Sequence, residues 1–177
     1  MKSYYEHNKL PQPVIPSLQH LPLLKGQTAL VTGANSGIGR AIALALGKSG
    51  ANVVVNYVAK PEDAEAVAAE IRADGSGAMI ARADVSDEAQ VQAMFAAAVK
   101  EFGTVDILAS NAGMEKNTPF HEMSVEQWDQ VMKVNLRGAF LCAREAVREF
   151  LKRGVRPEVS VAAGKIIFTS SVHEVIP

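Results

Sequence analysis

The 177-residue sequence is poor in the features that mark several large classes of protein. Its single cysteine, Cys142, excludes an internal disulfide and favours a reducing compartment such as the cytoplasm. No apolar run approaches the ~18 residues that span a bilayer, so we expect no membrane association. The net charge of −1, without a basic block, likewise predicts no nucleic-acid partner. The histidines are scattered, and we expect no metal site.

Prolines concentrate near the N-terminus, where residues 1–25 hold four of the eight. Because proline fixes the backbone and removes an amide donor, we interpret residues 1–25 as an extended arm. Residues 26–177 are numerous enough to form one domain with its own core.

From residue 27 onward, apolar β-branched runs alternate with segments of helical periodicity. The pattern predicts strands over 28–32, 52–57, 78–83, 105–110 and 165–170, and helices over 37–49, 61–75, 86–103 and 124–153. Such alternation is typical of an α/β fold in which a doubly wound parallel sheet carries helices on both faces. In these sheets, ligands bind beyond the carboxyl ends of the strands.

The helical patterns also predict which positions are buried. We expect the first helix to bury a stripe made of Ile38, Ala41, Ile42, Ala45 and Leu46, and we expect Ser86 to cap the third helix. The long fourth helix has an apolar stripe made of Trp128, Val131, Met132, Leu136, Ala139, Phe140, Ala143, Val147 and Phe150. Asn135 lies within that stripe, where a buried amide needs hydrogen-bond partners. Either it bonds to the core, or it orders a kink and a water near a site, which is the interpretation that we favour.

The stretch Thr32–Gly39 lies between the first strand and the first helix and reads G-x-x-x-G-x-G. Glycine permits positive φ and close backbone approach, and a helix N-terminus offers free N–H groups to a phosphate. A tight connection without a ligand is the alternative. The residues that we expect to bind a cofactor here are Gly33, Asn35, Ser36, Gly37, Ile38 and Gly39.

The second strand ends at Asn56 and Tyr57, where an acidic residue would bind the ribose hydroxyl of NAD. None is present, so NADP is also acceptable, and Lys60 or Arg40 are candidate sources of positive charge. An ordinary strand end is the alternative. The choice between NAD and NADP stays open.

Two further strand ends carry candidate site residues. Asp84 and Val85 follow the third strand, where a carboxylate and a backbone N–H suit an adenine ring, although Asp84 could instead cap the next helix. At the end of the fourth strand, Asn111, Ala112 and Gly113 are small enough to lie against a ribose or nicotinamide ring. Asn111 is expected to bond to neighbouring loops, and a plain turn is the alternative.

Together with Val134-Asn135-Leu136 and Ser171, these motifs resemble the short-chain dehydrogenase/reductase family, with finer similarity to its bacterial glucose 1-dehydrogenase branch. The resemblance implies a Rossmann-like fold and hydride transfer between NAD or NADP and an alcohol, sugar or carbonyl substrate. It places Val134 at the cofactor and Ser171 at the substrate oxygen. It gives Asn135 a supporting role in proton transfer through a water. It also implies a homo-oligomer in the full-length form, and places His173 near the substrate mouth.

The resemblance is incomplete after the fifth strand. The family's Tyr-x-x-x-Lys acid–base pair would fall roughly thirteen residues beyond Ser171, past Pro177. The tyrosines of this sequence are Tyr4, Tyr5 and Tyr57. We therefore expect a truncated oxidoreductase that is inactive in this form, with a non-catalytic dinucleotide- or partner-binding module as the alternative. We also expect Ile166-Ile167-Phe168 to form an exposed sheet edge.

Overall fold

The computed structural model describes residues 21–171. Most of the predicted N-terminal arm and His173 therefore lie outside the described residues. Within them, the backbone forms a five-stranded sheet in the order β3-β2-β1-β4-β5, and every neighbouring pair of strands is parallel. The strands are β1 (Thr28–Val31), β2 (Asn52–Tyr57), β3 (Ala78–Arg82), β4 (Ile107–Ser110) and β5 (Lys165–Phe168). The predicted doubly wound, Rossmann-like α/β fold is confirmed.

Helices connect these strands and cover both faces of the sheet. They are α1 (Gly37–Lys48), α2 (Pro61–Ala73), α3 (Glu88–Phe102), α4 (Val125–Met132) and α5 (Ala139–Arg153), with a 3₁₀ turn at Phe120–Glu122. A π-helical segment, Lys133–Gly138, joins α4 to α5. Among the helices of residues 21–171, none combines the length and apolar character that a membrane crossing requires.

The core consists of two apolar layers, because successive strand residues point to opposite faces. Leu30 and Leu108 pair in register and face α3 and α5. Their neighbours Val31 and Ala109 face α1 and α2. Because the strands are parallel, their carboxyl ends and the loops that follow them lie along one edge of the sheet.

The buried face of α1 agrees only in part with the expected one, since Ile42 and Leu46 are partly buried against the core layer. Ile38 is 64% exposed, and Ala41 and Ala45 are exposed as well. The buried positions are Gly39, Ala43, Leu44 and Gly47. The helix approaches its neighbours through small residues: a Cβ added at Gly47 would lie 2.8 Å from the Ile71 side chain. The apolar pattern missed this face because small residues carry little hydrophobic signal.

A π-helical segment interrupts the predicted long helix, and the burial expected for its stripe is wrong at four positions, whereas Phe150 is buried as expected. Trp128, Leu136, Phe140 and Val147 are 51%, 61%, 57% and 42% exposed, respectively. The buried residues of α5 are Leu141, Cys142, Ala146 and Phe150. Asn135 is exposed too, so it is not an amide on a buried face. The segment has two apolar faces, and periodicity alone does not indicate which one meets the sheet.

The start of α3 and the edge of the sheet are the two remaining features. Asp87, not Ser86, caps α3: its carboxylate accepts a hydrogen bond from the Gln90 N–H at 3.1 Å. That bond lowers the pKa of Asp87. The exposed edge at β5 is confirmed, since Ile167 and Phe168 are 50% and 57% exposed.

Candidate functional site

A cleft of about 920 Å³ lies at the carboxyl ends of the strands. The loops after β1, β2, β3 and β4 form it, together with α4 and the π-helical segment. The sequence-predicted cofactor residues that line it are Gly33, Asn35, Ser36, Gly37, Ile38, Gly39, Asn56, Asp84, Val85, Asn111, Ala112, Gly113 and Val134. Tyr57 is the exception, because its side chain packs in the core beside α1 and α2 and is 8% exposed.

Three glycines shape the loop between β1 and α1, each for a different reason. Gly33 and Gly37 have φ values of +62° and +53°, which side chains rarely tolerate. A Cβ added at Gly39 would lie 2.2 Å from the Gly33 carbonyl oxygen and 2.6 Å from Asn111 Nδ2. A Cβ added at Gly37 would meet no described atom within 4 Å, so this position is open towards the cleft.

The N-terminus of α1 is electrostatically suited to an anion. Ser36 is its N-cap residue, and in the described helix the Ser36 side chain makes no capping hydrogen bond. The first turn of this helix contains no acidic residue. First-turn N–H groups have no intrahelical acceptors and carry partial positive charge. These N–H groups lie at the cleft, since its lining includes Ser36, Gly37 and Ile38.

Asn56 lines the cleft, but its side chain bonds to the protein scaffold. Its Oδ1 accepts a hydrogen bond from the Gly33 N–H at 3.1 Å, and its Nδ2 donates to the Ala81 and Ala83 carbonyls at 3.2 and 3.0 Å. Asn56 is 1% exposed. This amide therefore ties the glycine loop to β3 across β2.

Lys60 and Arg40, the two basic residues expected near the end of β2, make different contacts. Lys60 lines the cleft and precedes α2 with a φ of +59°, the one positive φ of a non-glycine residue in the described chain. Arg40 instead pairs with Glu70 on α2 at 2.6 Å. Of these two cations, Lys60 is therefore the one that lines the cleft.

Asp84 forms a local turn at the end of β3. Its Oδ1 accepts a hydrogen bond from the Ser86 N–H at 2.9 Å, and its own N–H donates to Gln90 Oε1 at 2.9 Å. Since Asp87 caps α3, the alternative that Asp84 caps this helix is wrong. Val85 follows with 4% exposure and packs in the core layer beside α5.

Asn111 connects the loops after β1 and β4, as expected from the sequence. Its Nδ2 donates to the Thr32 carbonyl at 3.1 Å. The backbone N–H groups of Asn111 and Ala112 both donate to the Thr32 hydroxyl at 2.9 Å. These bonds hold Asn111 and Ala112 against the glycine loop.

Asn135 lies in the π-helical segment and holds the next residue of the same loop. Its Oδ1 accepts from the Met114 N–H at 2.9 Å, and its Nδ2 donates to the Met114 carbonyl at 2.8 Å. The sequence suggested either a bond to the core or a kink with an ordered water, and neither describes this arrangement fully. The Asn135 amide bonds to a loop backbone and not to the core, and a π-helical distortion accompanies it. Ser171 follows β5, is exposed and does not line the cleft.

The cleft also contains residues that no motif singled out. They are Val58, Ala59, Asp63, Ser86, Met114, Gln130 and Lys133. Val58 and Ala59 follow β2 directly, which was the available signal for them, whereas Ser86 and Met114 lie in the loops after β3 and β4 and Asp63 lies in the first turn of α2. Gln130 and Lys133 come from α4 and the π-helical segment, and only the tertiary fold places them here.

Comparison with known proteins gives concordant results. A family model described as short chain dehydrogenase matches residues 27–177. Glucose 1-dehydrogenase 2 of Bacillus subtilis (strain 168) is 40% identical over 155 residues, which cover 87% of this chain and 57% of that protein. The crystal structure of a short-chain type dehydrogenase/reductase from Mycobacterium marinum superposes with a TM-score of 0.80 at 34% identity, covering 89% of this chain and 61% of that one. The chain thus spans about three-fifths of the length of these relatives.

Proposed function

The chain belongs to the short-chain dehydrogenase family, and we propose that its cleft binds the dinucleotide NAD or NADP. The observation that carries the proposal is the open glycine loop at the N-terminus of α1. A phosphate there meets free N–H groups and a helix end without opposing carboxylates in its first turn.

The residues present fit such a cofactor. The cleft volume of about 920 Å³ is at the upper end of the range for small-molecule and cofactor sites. Gly37 leaves open space where a side chain would obstruct a pyrophosphate. The proposed contacts are the amides of Gly33–Gly39 to the pyrophosphate, the Asp84 carboxylate and Val85 N–H to adenine, and the backbone of Ala112 and Gly113 to a ribose or nicotinamide ring.

When bound, the dinucleotide supplies a carbon that accepts or donates a hydride. The chain's own residues orient it. Thr32 and Asn111 fix the loop beneath it, and Asn135 holds that loop at Met114. By family resemblance, Ser171 binds the substrate oxygen and Asn135 supports proton transfer through a water.

We propose an alcohol, sugar or carbonyl compound as the substrate class, following the name of the Bacillus relative. A homo-oligomer of the full-length form and a cytoplasmic location are part of the same proposal. The Tyr-x-x-x-Lys pair that the resemblance implies does not occur after Ser171 in the 177 residues. We therefore expect this chain to bind dinucleotide without turning over substrate.

Calorimetric titration of the purified chain with NAD and with NADP tests the binding proposal, and absorbance of the reduced cofactor with glucose present tests turnover. FMN, which has no pyrophosphate bridge, serves as the control ligand. Saturable binding of either dinucleotide, without turnover, is expected. If neither dinucleotide binds, the proposed function is wrong, and measurable turnover contradicts the expectation of inactivity.

A partner-binding module is the second candidate, and the edge of β5 favours it. Ile167 and Phe168 are half exposed there, beside a strand whose outer edge has no paired strand among the described residues. Such an edge invites pairing with a second copy or another protein. Light scattering across a concentration series tests this, and a monodisperse monomer at every concentration counts against it.

A further inference from the structure

Gly138, the last residue of the π-helical segment, packs against Val85. A Cβ added at Gly138 would lie 2.7 Å from Val85 Cγ2, 3.2 Å from Val85 Cβ and 3.3 Å from the Val85 carbonyl oxygen. These three atoms include backbone as well as side chain, so a rotation of the valine alone does not relieve the contact. Valine is also stiff about χ1 because it is branched at Cβ.

Val85 has little room to move towards the protein interior. It is 4% exposed and belongs to the apolar layer that also contains Leu141 of α5. Its other side lines the cleft. A side chain at position 138 would therefore overlap with Val85 unless the Asp84–Val85 loop moved into the cleft or the helix moved away from the sheet.

The same π-helical segment also holds the neighbouring loop. Asn135, three residues before Gly138, bonds to both backbone groups of Met114. Gly138 contacts Val85 in the loop after β3, and Asn135 bonds to Met114 in the loop after β4. One helical segment thus contacts two loops that form parts of the cleft wall.

We propose that Gly138 is a positioning residue that sets the place of Val85 and thereby the fit of the adenosine part of the dinucleotide. The proposal rests on the proposed function, because the cleft must bind a dinucleotide for its adenosine wall to matter. Gly138 acts through contact with Val85 and does not itself touch the ligand.

The test compares ADP with inorganic pyrophosphate, which share the diphosphate and differ by the adenosine. For Gly138→Ala, we expect ADP affinity to fall about tenfold, from the typical cost of overpacking a tight contact, while pyrophosphate affinity changes less than about twofold. The matched control is Gly47→Ala in α1, where the added Cβ meets Ile71 at 2.8 Å, away from the cleft. This control should leave the ratio of the two affinities unchanged.

The double variant Val85→Ala/Gly138→Ala removes the shortest of the three contacts, the one to Val85 Cγ2, and it also provides the test if the single variant does not fold. We expect it to bind ADP within about threefold of Val85→Ala alone. Equal losses for ADP and pyrophosphate, no loss for ADP, or no rescue in the double variant overturns the proposal. If the unmodified chain binds pyrophosphate and ADP equally, adenosine makes no contact and this inference fails. If the unmodified chain binds neither ligand nor either dinucleotide, the proposed function itself fails, and this inference with it.

Discussion

The substitution Asn56→Asp tests whether the Asn56 side chain holds the protein backbone in place or contacts the cofactor. The carboxylate of Asn56→Asp keeps an acceptor for the Gly33 N–H but loses both donations to the Ala81 and Ala83 carbonyls. It also places a charge at a position that is 1% exposed. The substitution is nearly isosteric, so packing changes little and the effect reports hydrogen bonding and charge.

The expected loss of unfolding free energy is large. Each lost hydrogen bond that leaves a buried carbonyl unpaired costs roughly 1–3 kcal/mol, and burying a carboxylate adds a desolvation cost. Together these predict that Asn56→Asp lowers the unfolding free energy by about 3–5 kcal/mol, against a typical total of about 5–15 kcal/mol. Urea denaturation followed by circular dichroism measures the loss.

Asn52→Asp is the matched control at the other end of β2. Asn52 Oδ1 accepts a hydrogen bond from the Gly77 N–H at 3.2 Å, and a carboxylate accepts this bond equally well. We expect a change below about 1 kcal/mol there. The reasoning is refuted if Asn56→Asp is as stable as the control and instead shifts binding from NADP towards NAD, since the side chain would then face the ribose.

Two further predictions concern a glycine and the buried thiol. Gly39→Ala should abolish dinucleotide binding, because its Cβ would lie 2.2 Å from the Gly33 carbonyl oxygen and displace Asn111. Calorimetry measures this. The control Gly75→Ala strains the backbone at a φ of +92° outside the cleft, so it should lower stability and still bind the dinucleotide normally. Burial raises the pKa of Cys142 to about 12, so the folded chain should resist iodoacetamide at pH 8 while the urea-unfolded chain reacts. Because the thiol of the unfolded chain has a pKa of about 8.5, the stability from its burial is complete below that pH and is lost as the pH rises towards about 12. Fast labelling of the folded chain contradicts the assigned burial.

Local features of the sequence were sufficient to predict the sheet and most of the cleft. The segment Gly33–Gly39 was predictable because its own residues supply the positive φ values, the close backbone approach and the helix N-terminus that a phosphate site uses. The residues that follow the strands were also predictable as parts of one site, because parallel strands bring their carboxyl ends together. This is why the predicted cofactor positions, apart from Tyr57, line one cleft.

Other features depended on contacts between distant segments and were not predictable. The partners of Asn56 lie on the glycine loop and around β3, 23 to 27 residues away. Ile38 is apolar yet exposed, because the small face of α1 makes the close approach. A π-helical distortion accompanies the bonds of Asn135 to Met114, and no periodicity indicates those bonds.

Mapping of backbone amide shifts by NMR during titration with NAD or NADP tests the central claim most directly, because it locates the ligand. The account predicts the largest shifts at Gly33–Gly39, with further shifts at Val85 and Gly113. A second concavity of about 460 Å³ between α3 and α5, lined by Ala96 and Arg148, should stay unchanged. Shifts confined to that second concavity, or no shifts at a saturating dinucleotide concentration, would contradict the assignment of the cleft as the cofactor site.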